Sequence, residues 1–222
     1  DENQVVDHEL YLEGLEPGTP YFYQLRHQGE DGESITQGFE FSTELNFSVP
    51  SVERVDSPFE VDADSLAYAQ AAERILALTG IDRGYCLDLD CGRGRLALEL
   101  AKRSKLRIVG VSPDRDEVAA GRVLLRGAGL YGSRITLHHR QLQGLPYAEN
   151  SFNLVVSDRL VGGALPRAEA TEMLRLLKPS GGVGVFGQPS AVGNAVQLES
   201  IRGWLAAAAA DSEELGPPGT WA

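Results

Sequence analysis

Cysteine is scarce in this chain. Of 222 residues only Cys86 and Cys91 carry thiols, too few for a disulfide scaffold and without His or Cys partners at zinc spacing. Positive charge is scarce as well. Twenty Lys and Arg face 32 Asp and Glu, a formal charge of −12, which argues against a sequence-independent grip on DNA or RNA, because phosphates need a field of the opposite sign. No apolar run approaches the roughly 20 residues that span a bilayer. Asp1–Leu10 shows neither the basic n-region nor the apolar h-region of a secretory signal. What is present is ordinary for a chain that buries a core, with 42% hydrophobic and 23% charged residues. At about 150 residues per domain, the length suggests one full domain and a fragment. The expectation is a soluble protein without structural metal, membrane or nucleic-acid partner.

Residues 1–44 differ from the rest. Leu10–Gly14, Tyr21–His27 and Ser34–Thr43 alternate apolar and polar residues over short runs, the period-2 signature of half-buried strands. Pro17-Gly18-Thr19-Pro20 and Glu30-Asp31-Gly32 between them are turn-forming clusters. Residues 45–63 read as a linker. From Asp64 onward helices alternate with short apolar strands. Asp64 is read as a helix cap, Leu66, Ala69, Ala72 and Leu76 as one helix face, and Gly80 as the stop. Strands are expected at Tyr85–Leu89, Arg107–Val111, Ile135–His139, Asn153–Ser157 and Val183–Phe186. Helices are expected from Gly94 to Arg103, Asp114 to Arg126, Ala168 to Leu177 and Gly193 to Ala209, and 211–222 reads as a C-terminal linker. Continuous apolar strands alternating with helices predict an α/β, doubly wound, mainly parallel sheet of about five strands over 64–210.

In such a sheet ligands lie at the carboxyl ends of the central strands. The first of those ends reads Cys86-Leu87-Asp88-Leu89-Asp90-Cys91-Gly92-Arg93-Gly94-Arg95-Leu96-Ala97. This segment resembles the cofactor loop of class I S-adenosylmethionine-dependent methyltransferases, usually Asp-x-Gly-x-Gly-x-Gly. Gly144-Leu145-Pro146-Tyr147 followed by Ser151-Phe152-Asn153-Leu154-Val155 is similar to that family's Leu-Pro-Phe and Ser-Phe-Asp-Leu-Val runs. Leu177-Lys178-Pro179-Ser180-Gly181-Gly182 resembles its Leu-Lys-Pro-Gly-Gly turn. Together these cover roughly 64–190 in the right order. The resemblance implies a Rossmann-like sheet in which the last two of the family's usual seven strands have no counterpart here. It also implies S-adenosylmethionine as cofactor, held by Asp88, Asp90, Cys91, Gly92 and Gly94 in the loop. Ser112, Pro113 and Asp114 would contribute after the second strand, Gln141 and Leu142 at the adenine side, and Ser157 after the fourth. The acceptor would be a small molecule or protein, and Asp158 the residue placed to take its proton. Ser157-Asp158-Arg159-Leu160 further resembles methyltransferase-like modules of large proteins with quinoprotein-type β-propellers. Leu15-Glu16-Pro17-Gly18-Thr19-Pro20-Tyr21 resembles the tyrosine corner of fibronectin type III sandwiches, so 1–44 is expected to be part of such a sandwich in a longer parent chain. The cofactor points to the cytoplasm, the sandwich to an extracytoplasmic setting.

Departures from the family pattern limit the inference. Asp90 stands at the first loop glycine, adding a Cβ and a charge where the turn is tightest. Ser112 stands where the family has an acid accepting two ribose hydroxyls. Hydrogen bonds to a charged group contribute about 1.5–3 kcal/mol, so its loss weakens binding on the order of 10- to 100-fold. Asp114 is the nearest candidate replacement. Gln141 and Asn153 each replace an Asp. A non-catalytic scaffold is therefore an alternative. Gly92-Arg93-Gly94-Arg95-Leu96-Ala97 also fits Gly-x-Gly-x-x-Ala, which leaves a nicotinamide dinucleotide site with Ser112 and Arg115 on a 2′-phosphate as another. Plainer readings make Cys86 core, Cys91 a loop filler, and His8 and His27 surface residues, with His138 and His139 on opposite strand faces.

Overall fold

The computed structural model describes residues 12–16, 19–29, 32–36, 38–43, 56–189 and 196–209. The chain divides into two compact units, Asp1–Ser48 and Val49–Ala222.

The first unit is an antiparallel hairpin of short strands: β1 (Pro20–Tyr23), β2 (Arg26–Gly29), β3 (Gly32–Ile35) and β4 (Phe39–Ser42). β1 pairs with β4 and β2 with β3. The two expected strands Tyr21–His27 and Ser34–Thr43 thus each break in two. The break has a local cause, because the Leu25 N–H donates to the Thr36 hydroxyl (3.0 Å) while Thr36 N–H donates to the Leu25 carbonyl (2.9 Å). Residues 12–14 of the expected first strand belong to no sheet, and Leu10, Pro17, Gly18, Glu30 and Asp31 lie outside the described residues. Tyr21 stacks on Phe41 and Tyr23 on Phe39. The Tyr21 hydroxyl accepts the Glu16 N–H at 2.7 Å.

The second unit opens with α1 (Ala63–Thr79) and continues β5 (Arg83–Leu89), α2 (Arg95–Arg103), β6 (Lys105–Ser112), α3 (Arg115–Gly127) and β7 (Ile135–His139). Then come β8 (Leu154–Val156), α4 (Asp158–Val161), α5 (Ala170–Leu176), β9 (Val183–Gly184) and α6 (Leu198–Ala209). The sheet is wholly parallel, in the order β7-β6-β5-β8-β9. β9 is shorter than the expected Val183–Phe186, although Val185 N–H still reaches the Val155 carbonyl (2.9 Å).

Alternate residues of β5 feed two cores. Cys86 joins Ala71, Ala72, Ile75, Leu96, Leu100, Val118 and Leu125 under α1, α2 and α3. Leu87 and Leu89 join Phe152, Met173 and Leu176 on the other face. Burial of these aliphatics, at about 25 cal/mol per Å², drives the layering. The cap of α1 is Asp62 rather than Asp64, and its carboxylate accepts from Asp64 N and Ser65 N at 3.1 Å each. The buried face moves accordingly to Ala67, Ala71, Ala72 and Ile75, whereas Leu66 is 63% exposed. Residues 56–62 fall in the stretch expected to be a linker, yet Phe59 packs against the core and Asp62 begins the helix. Gly80 ends α1 in the left-handed conformation, as its position suggested.

Candidate functional site

The strand order reverses at β5, whose neighbours are β6 and β8; α3 after β6 packs in one core and α5 after β8 in the other. A crevice at the carboxyl ends of β5 and β8 follows from that topology. Leaving β5, the chain turns through Asp90 (φ 61°), Gly92 (φ 50°) and Gly94 (φ 87°), then enters α2 with Gly94 as N-cap. Cys91 N–H donates to the Val111 carbonyl (3.0 Å) and Gly94 N–H to the Cys91 carbonyl (2.8 Å), which tie the loop to β6 and to itself. Gly121 of α3 lies against this loop so closely that a Cβ there would collide with the Arg93 carbonyl.

Asp90 holds a conformation that a side chain disfavours, at about 1–3 kcal/mol. Its carboxylate is almost fully buried and is clamped by Arg167, whose Nε donates at 2.8 Å, whose backbone N–H donates at 3.2 Å and whose Nη2 also donates. Arg159 Nε approaches the same carboxylate at 3.4 Å. These contacts fasten the segment after β8 to the glycine loop.

Beside the loop lies a cavity of about 510 Å³ lined by Pro58, Phe59, Glu60, Asp62, Tyr68, Gly92, Arg93, Arg95, Glu117, Leu124 and Asp158. Ligand pockets run from about 300 to 1,000 Å³, so the volume suits a nucleoside-sized compound. Asp158 is its central group. Oδ2 accepts the Leu96 N–H at 3.0 Å, capping the first turn of α2, and Oδ1 accepts the Tyr68 hydroxyl at 3.0 Å. Its own N–H donates to Asp88 Oδ1 at 2.8 Å. Asp88 Oδ2 is buried with no partner among the described residues. Burial and the neighbouring Asp158 charge hold the Asp88 carboxyl well above the usual carboxylate range. Burial likewise pushes Asp158 up to about 7, against the opposing hydrogen bonds from Leu96 and Tyr68. Tyr68 is raised by burial and by Asp158, so it stays a protonated donor. Arg95 is tied to Asp62 (2.8 Å) and the Glu60 carbonyl (3.0 Å) and lies over the rings of Phe59 and Tyr68.

Of the residues singled out in the sequence, Gly92 and Asp158 line the cavity, and Asp88 lies directly behind Asp158. The others are placed differently. Asp90 is engaged by Arg167. Cys91 is fully buried. Gly94 faces Leu125 and Leu137. Ser112 is buried, its hydroxyl accepting the Asp114 N–H (3.1 Å), and therefore does not present itself to a 2′-phosphate. Pro113 lies between them, and Asp114 spends its carboxylate on capping α3 through Asp116 N and Glu117 N at 3.0 Å each. Gln141 is exposed, Leu142 is buried beside β7, and the Ser157 hydroxyl is buried without a partner among the described residues. Sequence reasoning missed Tyr68, Phe59 and Glu117. Glu117 sits one helical turn beyond the strand end that was searched, and the aromatic pair lies in a region read as linker and amphipathic helix. Asn153, which stands where the family pattern has an Asp, accepts from Tyr85 N (3.1 Å) and Lys178 Nζ (3.2 Å).

Residues 86–181 match the protein family described as a methyltransferase domain. A curated relative, methyltransferase GfsG of Streptomyces halstedii, is 26% identical over 56% of this chain and 45% of its own length. Among solved structures, a proposed S-adenosyl-L-methionine-dependent methyltransferase of Methanococcus maripaludis is 27% identical, with a TM-score of 0.50 over 64% of this chain and 63% of that one. The 4+2 cyclase SpnF is 26% identical, with a TM-score of 0.50 over 63% of this chain and 57% of that one. The chain thus spans about half the length of its curated relative. Residues 86–181 are similar to methyltransferase domains, and the α/β unit around them is similar in fold to these two solved structures.

Proposed function

We propose that the second unit is an S-adenosylmethionine-dependent methyltransferase acting on a small-molecule or protein acceptor. The observation that carries this reading is the cavity at the carboxyl end of β5, walled by Gly92 and Asp158 inside the family-matched segment. The residues present suit a cationic nucleoside. Gly92 leaves the loop backbone open, Glu117 and Asp158 offer carboxylates, and the orphaned Oδ2 of Asp88 is a buried polar atom behind Asp158. The cofactor supplies an electrophilic methyl group on a sulfonium. For the protein, the work is chiefly alignment and desolvation. Asp158 and Glu117 would hold the sulfonium-bearing group beside Gly92, and a methyl group passed to an acceptor lone pair would leave the electrons of the broken carbon–sulfur bond on sulfur. The acceptor proton then passes to Asp158, whose Oδ1 is oriented by Tyr68. The corner contact of Tyr21 with Glu16 supports assigning the first unit to a partial fibronectin type III-like sandwich in a multidomain parent.

A non-methylating use of the same fold has one observation in its favour. The Asp90–Arg167 clamp spans the loop where the family carries glycine, and a fold can serve more than one chemistry. Calorimetric titration with S-adenosylhomocysteine separates the two. Methyl transfer requires micromolar binding and a melting shift that approaches about 2.7 kcal/mol at 100 times the dissociation constant. Asp88→Asn should weaken both. Absence of binding in the wild-type chain would leave a scaffold.

A further inference from the structure

Two carboxylates converge on one spot of the cavity wall. A Cβ built on Gly92 would lie 3.6 Å from Asp158 Oδ1 and 3.9 Å from Glu117 Oε2. Glycine keeps that spot open, so both oxygens face whatever occupies it. The nearby cations are engaged elsewhere: Arg95, which also acts on Asp158, is bonded to Asp62 and to the Glu60 carbonyl, Arg167, which also feels Glu117, is clamped on Asp90, and Arg93 is exposed.

We propose that Asp158 and Glu117, flanking Gly92, make this cavity select its ligand by positive charge, holding a sulfonium in preference to its neutral thioether counterpart. The proposal rests on the methyltransferase reading and adds to it a reason for product to leave: once the methyl group is gone, the sulfur no longer carries the charge that the two acids attract. Attraction between unit charges is several-fold stronger in a partly buried site than in water.

The selectivity depends on pH. Asp158 is faced by Tyr68 from α1, Asp88 from β5, Cys91 from the loop, Arg95 from α2 and Glu117 from α3. Because burial pushes the Asp158 acid up to about 7, its charge develops as the pH rises through neutrality. Preference for the cation therefore grows from pH 6 to pH 8.

Titration calorimetry of the full chain with S-adenosylmethionine and S-adenosylhomocysteine at both pH values tests this. In the wild type the first ligand should bind at least about tenfold tighter at pH 8, equivalent to about 1.4 kcal/mol, with the ratio shrinking at pH 6. Asp158→Asn retains an oxygen for Leu96 N–H and should show a small, nearly pH-independent ratio. The same variant cancels the ligands' own ionisations. Glu117→Gln should lower the ratio at both pH values while preserving its trend. If both ligands bind with a ratio unaltered by either substitution, charge selection is overturned and the methyltransferase reading stands. If neither ligand binds the wild type, the methyltransferase reading itself falls. Should Asp158→Asn fail to melt cooperatively, Glu117→Gln decides alone, and an unchanged ratio overturns the proposal.

Discussion

At the residue scale, Asp158 joins three tasks. It caps α2, anchors Tyr68 and presents an oxygen to the cavity. Burial holds it, and Asp88 behind it, above the ordinary carboxylate range. A group whose folded acid is weaker than its unfolded acid favours the fold below the unfolded value and forfeits that contribution as pH rises through the folded one. For Asp158 the window runs from about 4, its ordinary value, to about 7. The difference in unfolding free energy between wild type and Asp158→Asn should therefore shift against the wild type as pH rises from 4 to 8, measured by urea denaturation at each pH. A difference that stays flat would mean that the carboxylate is hydrated in the folded state. The neighbouring acids of the surface behave oppositely: Asp62 is lowered to about 2, chiefly by its hydrogen bond from Arg95.

At the scale of elements, the glycine loop, α3 and the segment after β8 form one assembly. Gly121 lets α3 approach the loop, and Arg167 ties the later segment to Asp90. Removing the Arg167 side chain leaves a buried carboxylate with the backbone N–H of residue 167 (3.2 Å) and the longer contact to Arg159, which costs about 1–3 kcal/mol. Asp90→Gly removes the charge and relieves the left-handed backbone, so the cost of Arg167→Ala should be much smaller in that background. A double-mutant cycle by chemical denaturation measures the coupling. Additive effects would show that Arg167 contributes nothing through Asp90. Much of this level was legible beforehand. The order of β5 to β9 and their helices followed from alternating apolar runs, and the loop from its glycines. The misplaced start of α1 shows the limit: Asp62 and Asp64 are equally good caps by residue type, and the reciprocal bonds with Ser65, the Arg95 ion pair and the packing of Phe59 favour the earlier one. The hairpin break at Leu25 likewise depends on a hydroxyl eleven residues away.

At the scale of the whole molecule, both buried hydrophobic clusters and every residue lining the cavity belong to the second unit. Saturation with S-adenosylhomocysteine should shift amide resonances around Gly92 and Asp158 and leave those of Pro20–Tyr23 and Phe39–Ser42 in place. Shifts confined to the hairpin would move the ligand site out of the α/β unit. Among the described residues, no helix is long and apolar enough to cross a membrane, and no cluster of His, Cys, Asp and Glu is arranged to hold a metal ion.

The sequence by itself determined the class of sheet, the position of the glycine loop and the resemblance to methyltransferases, because each is written in local periodicity or in a contiguous motif. Tertiary structure alone decided which acids face the cavity. Tyr68 meets Asp158 across 90 positions, and Arg167 reaches Asp90 across 77. Whether a carboxylate caps a helix, neutralises an arginine or confronts a ligand depends on the water removed around it and the partners brought near. Those are properties of the packed chain, which no spacing of residues encodes.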